Sequence, residues 1–421
     1  MSDLLSGPLI FDKKSRLFHC STTLKWDFAR LSYLILLCFF IFYDIEFSFL
    51  PFLTSARLAV ILLLITSFFN INLNKSFLLG LFIFLICFIY SFLQFLFVGD
   101  STQSIRIFWF IVLGWIVPLL FIYSSFRFFE FSFSVFIAGL IQSVLVLVMF
   151  FNYDFRVFTL QLINTSTNIS ETEILQRAFG FTSLTGSSLS IVQALTFFSG
   201  LLFLRISPKL KFWPMVLFWL SMLCILFSMV LIGRTGLLIS LFALFVYFIL
   251  YQSWVLNLSI ILFLAFLISV FDFIQLFTSL TSDLVGFNSD WFVDWIREGF
   301  SFRSNSTVEQ LKEMYVPPLS FKTLLGTGRV ISENGLTNAS LNDSGYVQTY
   351  FSLGLFMSVL FYVSFLFLSF YRWLLGERNI FILFLLVILF LIEYKEPFIF
   401  KYAFPCFLTT ILLFNYKHEA N

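Results

Sequence analysis

The sequence predicts an all-α polytopic membrane protein with about twelve transmembrane helices and a large external loop that contains short helices. The chain has 421 residues, of which 60% are hydrophobic and 11% charged, and its mean hydropathy is +0.98, which excludes a soluble domain. Apolar runs of ~20 residues, the length that crosses ~30 Å of hydrocarbon as a helix, recur along the chain. The ~10-residue alternating pattern of an outer-membrane barrel is missing. A helical bundle, which satisfies its own backbone groups, is therefore expected.

Twelve apolar segments are the predicted spans. They cover residues 31–50, 56–71, 77–98, 107–123, 131–151, 187–205, 213–232, 237–251, 255–271, 346–370, 379–394 and 398–415. The chain then divides into an N-terminal tail (1–30), spans one to nine (31–271) with a loop at 152–186, the large loop (272–345), spans ten to twelve (346–415) and a C-terminal tail (416–421).

The distribution of basic residues predicts the orientation. Twelve spans place both termini on one side, and thirteen of the 25 Lys and Arg residues fall in segments on that side. The short connections on the other side hold only Arg57, Arg106, Arg234, Lys395 and Lys401. Because short cytoplasmic loops carry the excess of Lys and Arg, both termini are predicted to be cytoplasmic and the loops 152–186 and 272–345 external.

The large loop contains signals for two short helices. Ser289 is placed to cap a helix in which Trp291 and Trp295 form an aromatic stripe suited to the lipid headgroup level. The segment 306–309 has the pattern of a capping box for a second helix, which Pro317-Pro318 ends.

A candidate anion site lies at Gly233-Arg-Thr-Gly236, between the seventh and eighth spans on the external side. The two glycines permit a tight turn and a close backbone approach. The free N–H groups of the eighth span also face outward here, and a guanidinium beside a helix N-terminus suits phosphate. The alternative is that Arg234 only extends from a helix end to the membrane interface.

Other external arginines are weaker candidates. Arg177 lies in Gln176-Arg-Ala-Phe-Gly180 just before the sixth span, Arg303 lies between the two predicted loop helices, and Arg329 follows Gly326-Thr-Gly328. Each of them is a candidate for anion binding, and for Arg177 the alternative is a role as an interfacial anchor. Arg156 is interpreted as a flanking charge.

Carboxylates near the re-entry into the tenth span are candidates for acid–base chemistry. Asp343, in Asn342-Asp-Ser-Gly-Tyr346, either caps the helix or accepts a hydrogen bond or proton from a sugar hydroxyl. Glu333 is a second candidate. Glu393, Lys395 and Glu396 cluster at the external end of the eleventh span, where they are expected at the interface, and pairing with one another is the alternative to a function.

The histidines limit the chemistry further. Both of them, His19 and His418, lie in the predicted cytoplasmic tails. A nucleophile–histidine pair or an external metal cluster is therefore not expected. External chemistry would have to use carboxylates, arginines, hydroxyls and backbone dipoles, and no cofactor or metal is predicted.

Taken together, the motifs resemble the O-antigen polymerase (Wzy) family of the O-antigen polymerase and ligase superfamily of bacterial inner-membrane glycosyltransferases. The similarity covers roughly residues 170–370, and its strength lies in the order of the motifs. The matching elements are Arg177-Ala-Phe-Gly180, Gly233-Arg-Thr-Gly236, Arg303, Leu325-Gly-Thr-Gly328 and Leu341-Asn-Asp-Ser-Gly-Tyr346 leading to Gly354. The ligase branch typically has an external histidine where this chain has Asn342-Asp-Ser344, which favours the polymerase branch.

The resemblance implies a function at the periplasmic face of the inner membrane. A growing glycan would leave undecaprenyl pyrophosphate and be transferred to a hydroxyl of the next undecaprenyl-pyrophosphate-linked repeat unit. Arg177 and Arg234 would stabilise the diphosphate, with Arg303 as a further candidate, and Asp343 would orient or deprotonate the acceptor hydroxyl.

Substrate-binding candidates are Arg303, Arg329, Glu333, Tyr346 and Trp295. Trp291 and Trp295 would hold the loop at the depth of the lipid phosphate or stack on sugars. The expected partners are the lipid-linked oligosaccharide, membrane lipid and a chain-length regulator, and nucleic acid is not a partner.

Three alternative functions stay open. An O-antigen ligase would use the same chemistry with lipid A core as acceptor. A flippase or transporter of lipid-linked oligosaccharide would carry charges deep inside its spans, whereas here most span centres are uncharged. A membrane scaffold would not need clustered external arginines.

Overall fold

The computed structural model describes residues 28–50, 53–67, 75–124, 126–164, 178–206, 211–251, 315–332, 337–376 and 379–419. Within these ranges the chain is helical, with two isolated β-bridges and no strand. The predicted all-α class is therefore confirmed for the described part of the chain.

Fifteen α-helices occur in the described ranges. In chain order they are α1 Phe28–Tyr43, α2 Ser55–Ser67, α3 Lys75–Val98, α4 Thr102–Trp109, α5 Val117–Tyr123, α6 Phe128–Phe151, α7 Tyr153–Leu162, α8 Gly186–Ile206, α9 Phe212–Ile232, α10 Arg234–Tyr251, α11 Phe321–Leu325, α12 Gly345–Leu353, α13 Leu355–Leu375, α14 Ile380–Glu393 and α15 Ala403–Glu419. A π-helical segment, Phe110–Ile116, joins α4 to α5, and a 3₁₀ turn, Phe398–Lys401, precedes α15.

Seven helices in the described ranges are long and apolar enough to cross a membrane, judged by length and composition. They are Phe77–Val98, Thr102–Tyr123, Phe128–Phe151, Gly186–Ile206, Phe212–Ile232, Arg234–Tyr251 and Leu355–Leu375. Shorter apolar helices cover Phe28–Tyr43, Ser55–Ser67, Ile380–Glu393 and Ala403–Phe414. The chain is thus an all-α membrane protein, and the total of twelve spans stays a prediction.

The structure differs from the sequence prediction at two places. The predicted tenth span, 346–370, is broken at Gly354, which has φ +87° and separates α12 from α13. The predicted loop 152–186 begins with a helix, α7, which was not expected. The predicted ninth span, 255–271, and the predicted loop helices near Ser289 and 306–309 lie outside the described residues.

Connections that the prediction places on the external side contact one another at one end of the bundle, which we call the loop end. The end of α1 pairs with the segment after α7, through a bridge between Phe47 and Ile163. Asp100, which lies just after α3, accepts a hydrogen bond from Val330 N at 2.7 Å. The start of α10 meets α8, because Gly236 N donates to Ser190 Oγ at 3.1 Å.

The opposite end, which we call the tail end, is held by a different set of contacts. Arg30 at the start of α1 pairs with Glu130 at the start of α6, with 3.2 Å between Nη2 and Oε2. Arg205 at the end of α8 lies over the Tyr251 ring, 4.7 Å from its centroid. The Tyr251 hydroxyl donates to Asn379 Oδ1 at 2.9 Å. The described helices therefore alternate in direction as predicted.

The two edges of the undescribed range 252–314 lie at opposite ends. Tyr251 is at the tail end, as its contact with Asn379 shows. Tyr315 is at the loop end, where its carbonyl accepts a hydrogen bond from Asn342 Nδ2 at 2.8 Å. The further span predicted between them, 255–271, lies outside the described residues and stays a prediction.

Phenylalanine forms much of the bundle core. Phe110 packs edge-on against Phe84, Phe361 and Phe365, with ring centroids 5.0–5.5 Å apart. Phe198 of α8 stacks on Phe381 of α14 with centroids 3.9 Å apart. These contacts give the abundant aromatic residues a packing role and fix the helices that carry the loop end.

Candidate functional site

The motif Gly233-Arg-Thr-Gly236 lies where α9 ends and α10 begins, beside the N-terminus of α8. A Cβ atom on Gly236 would overlap the backbone carbonyl of Ser190, so glycine is required for the observed distance between α10 and α8. The expected close backbone approach is confirmed. Arg234 is the first residue of α10 and is half-buried. It thus lies at the adjacent N-termini of two long helices, whose dipoles favour an anion.

A second basic side chain reaches the N-terminus of α8. Lys401 Nζ lies 2.6 Å from Glu396 Oε2 and also donates to Ser188 Oγ. The Ser187 hydroxyl donates to Glu396 Oε1. Burial alone would raise the pKa of the Glu396 carboxyl, but Lys401 and the Ser187 hydroxyl outweigh it and hold the pKa below its usual value. Glu396 is therefore an ionised partner of Lys401 at this helix end.

The acidic cluster at the end of α14 is not the interfacial group that was expected. Glu393 is fully buried and does not pair with Lys395 or Glu396. Its Oε1 accepts from the Tyr362 hydroxyl at 2.7 Å, and its Oε2 accepts from Ile399 N at 2.7 Å. The chain turns back sharply after α14, and this turn carries the carboxylate inward. Lys395 and Glu396 are half-buried, and Glu396 binds Lys401.

Glu393 organises the start of α12, one residue after the Asn342-Asp-Ser344 segment. A Cβ atom on Gly345 would overlap Glu393 Oε1, so the glycine permits the approach. The Tyr362 hydroxyl that donates to Glu393 also contacts Thr349 Oγ1 at 2.9 Å. The buried carboxylate thereby links α12, α13 and α14.

Arg106 is a member of this group that sequence reasoning did not single out. Its Nη1 donates to Gln348 Oε1 at 3.1 Å, which joins α4 to α12. Its electrostatic neighbours include Glu393, Asp100, Tyr402 and Tyr362. The sequence analysis placed Arg106 in a predicted external connection, but nothing in the sequence indicated that it would bond to a residue more than 200 positions later.

Strained backbone also concentrates at the loop end. Within the described residues, the non-glycine positions with positive φ are Asp44 at 32°, Leu341 at 54° and Tyr402 at 38°. All three lie at this end, and Asp44 is an electrostatic neighbour of Tyr402 together with Arg57 and Arg106. Such conformations are costly and tend to occur at functional sites.

The segment that follows Arg177 enters the bundle. Ala178 and Phe179 are buried against α6. The side-chain amide of Gln142 in α6 donates to the Phe179 carbonyl at 2.7 Å and accepts from Phe181 N at 3.2 Å. It therefore satisfies backbone groups of residues 179–181 that have no helix or strand partner. Gly180 has φ +65° and lies against the Gln142 side chain, so that a Cβ atom added to Gly180 would be 2.6 Å from Gln142 Nε2. Sequence analysis missed Gln142, whose only signal is a polar residue inside an apolar span.

Asp343 lies at the surface of the re-entry turn. It is exposed, and its Oδ1 accepts from Asn338 Nδ2 at 2.9 Å. The N-cap of α12 is Ser344, not Asp343, so the capping interpretation of Asp343 is wrong. Asn342 holds the turn, since its Nδ2 donates to the Tyr315 carbonyl and its Oδ1 accepts from Ser344 N at 2.8 Å.

Tyr346 is held by neighbouring helices. Its hydroxyl donates to the Phe390 carbonyl at 2.7 Å, and its ring lies 4.9 Å from the Tyr362 ring, centroid to centroid. These contacts give Tyr346 a structural role in supporting the turn that carries Asp343.

The segment Leu325-Gly-Thr-Gly328 docks on the break between α12 and α13. Gly326 and Gly354 both have φ +87°, and a Cβ atom on either would overlap the backbone around the other. Thr327 N and Gly328 N donate to the carbonyls of Phe351 and Ser352 at 2.9 Å. Arg329, half-buried, directly follows this junction.

The remaining predicted site residues divide into two groups. Arg156 is buried in α7 and donates to the Met149 carbonyl at 3.3 Å, so it caps the end of α6, a structural role beyond that of a flanking charge. Four others lie outside the described residues, namely Arg177, Arg303, Glu333 and Trp295.

Searches for similar proteins find no matching family model, no matching curated protein and no matching solved structure.

The described part of the site has two chemical features. Arg234 and the N-termini of α8 and α10 provide positive charge on one side, whereas the charge of Lys401 is balanced by Glu396. The re-entry turn provides an exposed carboxylate, Asp343, on a backbone fixed by Asn342 and Glu393. Together they suit the neutralisation of an anionic leaving group and the orientation of a hydroxyl.

Proposed function

We propose that this chain is an O-antigen, or surface polysaccharide, polymerase. It would transfer a growing glycan from undecaprenyl pyrophosphate to the next undecaprenyl-pyrophosphate-linked repeat unit. The observation that supports the proposal is that motifs far apart in sequence lie at the same end of the bundle, each fixed by its own contacts: Ala178–Gly180 on α6, Gly233–Gly236 on α8, Leu325–Gly328 on Gly354, and Asn342–Tyr346 beside Glu393.

In the proposed reaction the bond between the glycan anomeric carbon and the pyrophosphate oxygen breaks. A new bond forms between that carbon and an acceptor hydroxyl oxygen, and the hydroxyl proton passes to Asp343. Arg177 and Arg234, with Arg303 as a further candidate, would bind the diphosphate and stabilise the charge that it gains. The exposure of Asp343 supports its role, because an acceptor sugar can reach an exposed carboxylate without any opening of the bundle.

The proposal includes the topology. Twelve spans would place both termini in the cytoplasm of a bacterium, and the loop end would face the periplasm from the inner membrane. The alternation of the described helices and the concentration of Lys and Arg in segments of the tail end support this orientation.

The first test replaces Arg234 with alanine in a host that lacks its own polymerase. Loss of one donor to developing charge typically costs ~3 kcal/mol, on the order of a hundredfold in rate. We expect glycans of a single repeat in place of long chains on a lipopolysaccharide gel, with the protein inserted at its normal level.

Two variants control this test. Arg205→Ala removes an arginine at the tail end, where Arg205 packs on Tyr251, and should leave long chains unchanged. Arg234→Lys keeps the charge without the planar fork and should give partial activity. Long chains from Arg234→Ala would remove Arg234 from the mechanism.

A deletion strain separates the proposal from its alternatives on the same gel. Loss of a polymerase leaves one repeat attached to lipid A core, and loss of a ligase leaves none. Loss of a flippase also leaves none, but precursor then accumulates on the cytoplasmic leaflet.

A further inference from the structure

An apolar stretch of the large loop, residues 315–325, is exposed on the protein surface. We call it the apolar strap. Five of its large side chains are turned outward, with exposed fractions of 54% for Tyr315, 61% for Val316, 66% for Leu319, 77% for Phe321 and 46% for Leu325. An aqueous loop rarely presents so many large apolar groups in so short a stretch, so this surface needs a partner.

The last residue of the strap, Leu325, is bonded to the side of α3. The Leu325 carbonyl accepts hydrogen bonds from the Tyr90 hydroxyl and from Gln94 Nε2, the latter at 2.9 Å. Tyr90 lies two helical turns before the end of α3 at Val98, and Gln94 lies one turn before it. At 1.5 Å per residue the contact is roughly 6–12 Å below that helix end. The end of the strap therefore lies beside the span and below the level where the span ends.

The surface of α3 around this contact is exposed and apolar, as expected of a surface that faces lipid. Of the seven candidate spans, Phe77–Val98 is the least buried inside the protein. Its exposed side chains include Ile89, Phe92, Leu93, Leu96 and Phe97. The apolar strap continues this lipid-facing surface without an intervening polar element, since its end is bonded directly to Tyr90 and Gln94.

Several backbone polar groups of the strap have partners within the protein, as a lipid environment requires of them. The Ser320 side chain accepts from Thr323 N at 3.2 Å, and Thr323 Oγ1 donates to the Pro318 carbonyl at 3.0 Å. The Tyr315 carbonyl accepts from Asn342, and the Leu325 carbonyl accepts from α3. The strap thus exposes apolar side chains while these polar backbone atoms are satisfied.

We propose that residues 315–325 are embedded among the acyl chains of one bilayer leaflet, at the loop end of α3. The strap then fastens the end of the large loop to the membrane just before the Gly326–Gly354 junction. The one charged side chain in it, Lys322, is long enough to reach the headgroups from this depth. This inference does not depend on the proposed enzymatic function.

The test uses spin labels on single cysteines in the full chain, with its five native cysteines replaced by alanine. The protein is placed in nanodiscs of phosphatidylethanolamine and phosphatidylglycerol. Labels at Leu319→Cys and Phe321→Cys should collide readily with oxygen, which dissolves in lipid, and at least severalfold less with a water-soluble nickel chelate. Leu341→Cys is the matched control, because Leu341 is 70% exposed in the polar turn before α12. Its label should show the opposite preference.

Two outcomes would overturn the inference. If labels at 319 and 321 meet the nickel chelate as often as the label at 341, the strap is in water. If they are protected from both reagents, protein covers the strap, whether a second copy or another part of this chain.

Discussion

Asp343 and Glu393 are two carboxylates at the same end of the bundle in opposite environments. Asp343 is exposed and accepts one hydrogen bond from Asn338, whereas Glu393 is fully buried and holds Tyr362 and Ile399 N. A buried carboxylate that is already bonded is poorly placed to meet a glycan hydroxyl. We therefore keep Asp343 as the proposed catalytic residue and assign Glu393 to the order of the turn that carries it.

Asp100 is the residue whose charge fixes the large loop at α3. Its carboxylate accepts from Val330 N at 2.7 Å, Ile331 N at 3.2 Å and Thr102 N at 2.9 Å. We predict that Asp100→Asn releases the segment around Arg329. A hydrogen bond to a charged group is worth about 1.5–3 kcal/mol, so trypsin should cleave after Arg329 on the order of tenfold faster. Asp154→Asn, at an exposed position in α7, should leave cleavage unchanged.

The pH dependence of this attachment has a definite sign. Burial raises the pKa of Asp100, but the hydrogen bonds from Thr102, Val330 and Ile331 outweigh it and the pKa lies below its usual value. A lowered folded-state pKa gives a stabilisation that is complete above the unfolded pKa of about 3.9 and is lost as the pH falls through the folded value. Protection from trypsin should therefore be constant between about pH 5 and 8. A loss of protection near neutral pH would contradict this assignment.

The break between α12 and α13 shows why a short loop motif and a distant glycine belong together. Leu325–Gly328 and Gly354 are separated by more than 25 positions, and each backbone fills the space that a side chain on the other would need. An apolar run such as 346–370 indicates a continuous helix, and its local composition contains no sign of the partner that interrupts it. The sequence could therefore locate both glycines but not the junction that they form.

Three glycines with nearly the same φ give a matched test of this junction. Gly326 and Gly354 have φ +87° with backbone atoms in contact, whereas Gly99 has φ +85° and a Cβ atom added to it would meet nothing within 4 Å. We predict that Gly99→Ala costs only the backbone strain, about 1–2 kcal/mol. Gly326→Ala and Gly354→Ala should each lower the free energy of unfolding by several kcal/mol, because the two backbones must also separate. Thermal unfolding in detergent measures the difference.

An equal loss of thermal stability in all three variants would show that backbone conformation, and not close contact, is the reason for these glycines. The double variant Gly326→Ala, Gly354→Ala adds a second check. Once one alanine has separated the segments, the second should cost little more than its backbone strain, so the two losses should be less than additive.

The sequence predicts helices better than it predicts the contacts between them. Run length and hydropathy located most of the described helices, although not α7 or the break between α12 and α13, and the alternation of charges predicted which of their ends would meet. The burial of Glu393, the clamp of Gln142 on Phe179 and Phe181, and the bond between Arg106 and Gln348 depend on the packing of separate helices. Local patterns contain no information about such packing, so these parts of the site became visible only in the structure.

At the scale of the whole molecule, the charged side chains of the described residues are concentrated at the two ends of the bundle, and the middles of the described helices carry few of them. The loop end holds the strained residues Asp44, Leu341 and Tyr402, with Arg234 and Asp343. The tail end holds the Arg30–Glu130 pair and the contact of Arg205 with Tyr251. A protein whose motifs lie at one membrane surface is suited to act on a lipid-linked substrate there, and less suited to carry a polar substrate through its centre.

The orientation of these two ends can be tested without any assay of activity. Single cysteines at Leu341, at the loop end, and at Trp213, at the tail end, are both placed on exposed positions of the full chain lacking its native cysteines. Because Lys and Arg are concentrated in segments of the tail end, we predict that this end is cytoplasmic. A membrane-impermeant maleimide should then label position 341 in intact cells and position 213 only after the membrane is permeabilised. The reverse pattern would place the arginine and carboxylate motifs in the cytoplasm, where a periplasmic glycan transfer could not use them, and the proposed function would have to be given up even if the fold were correct.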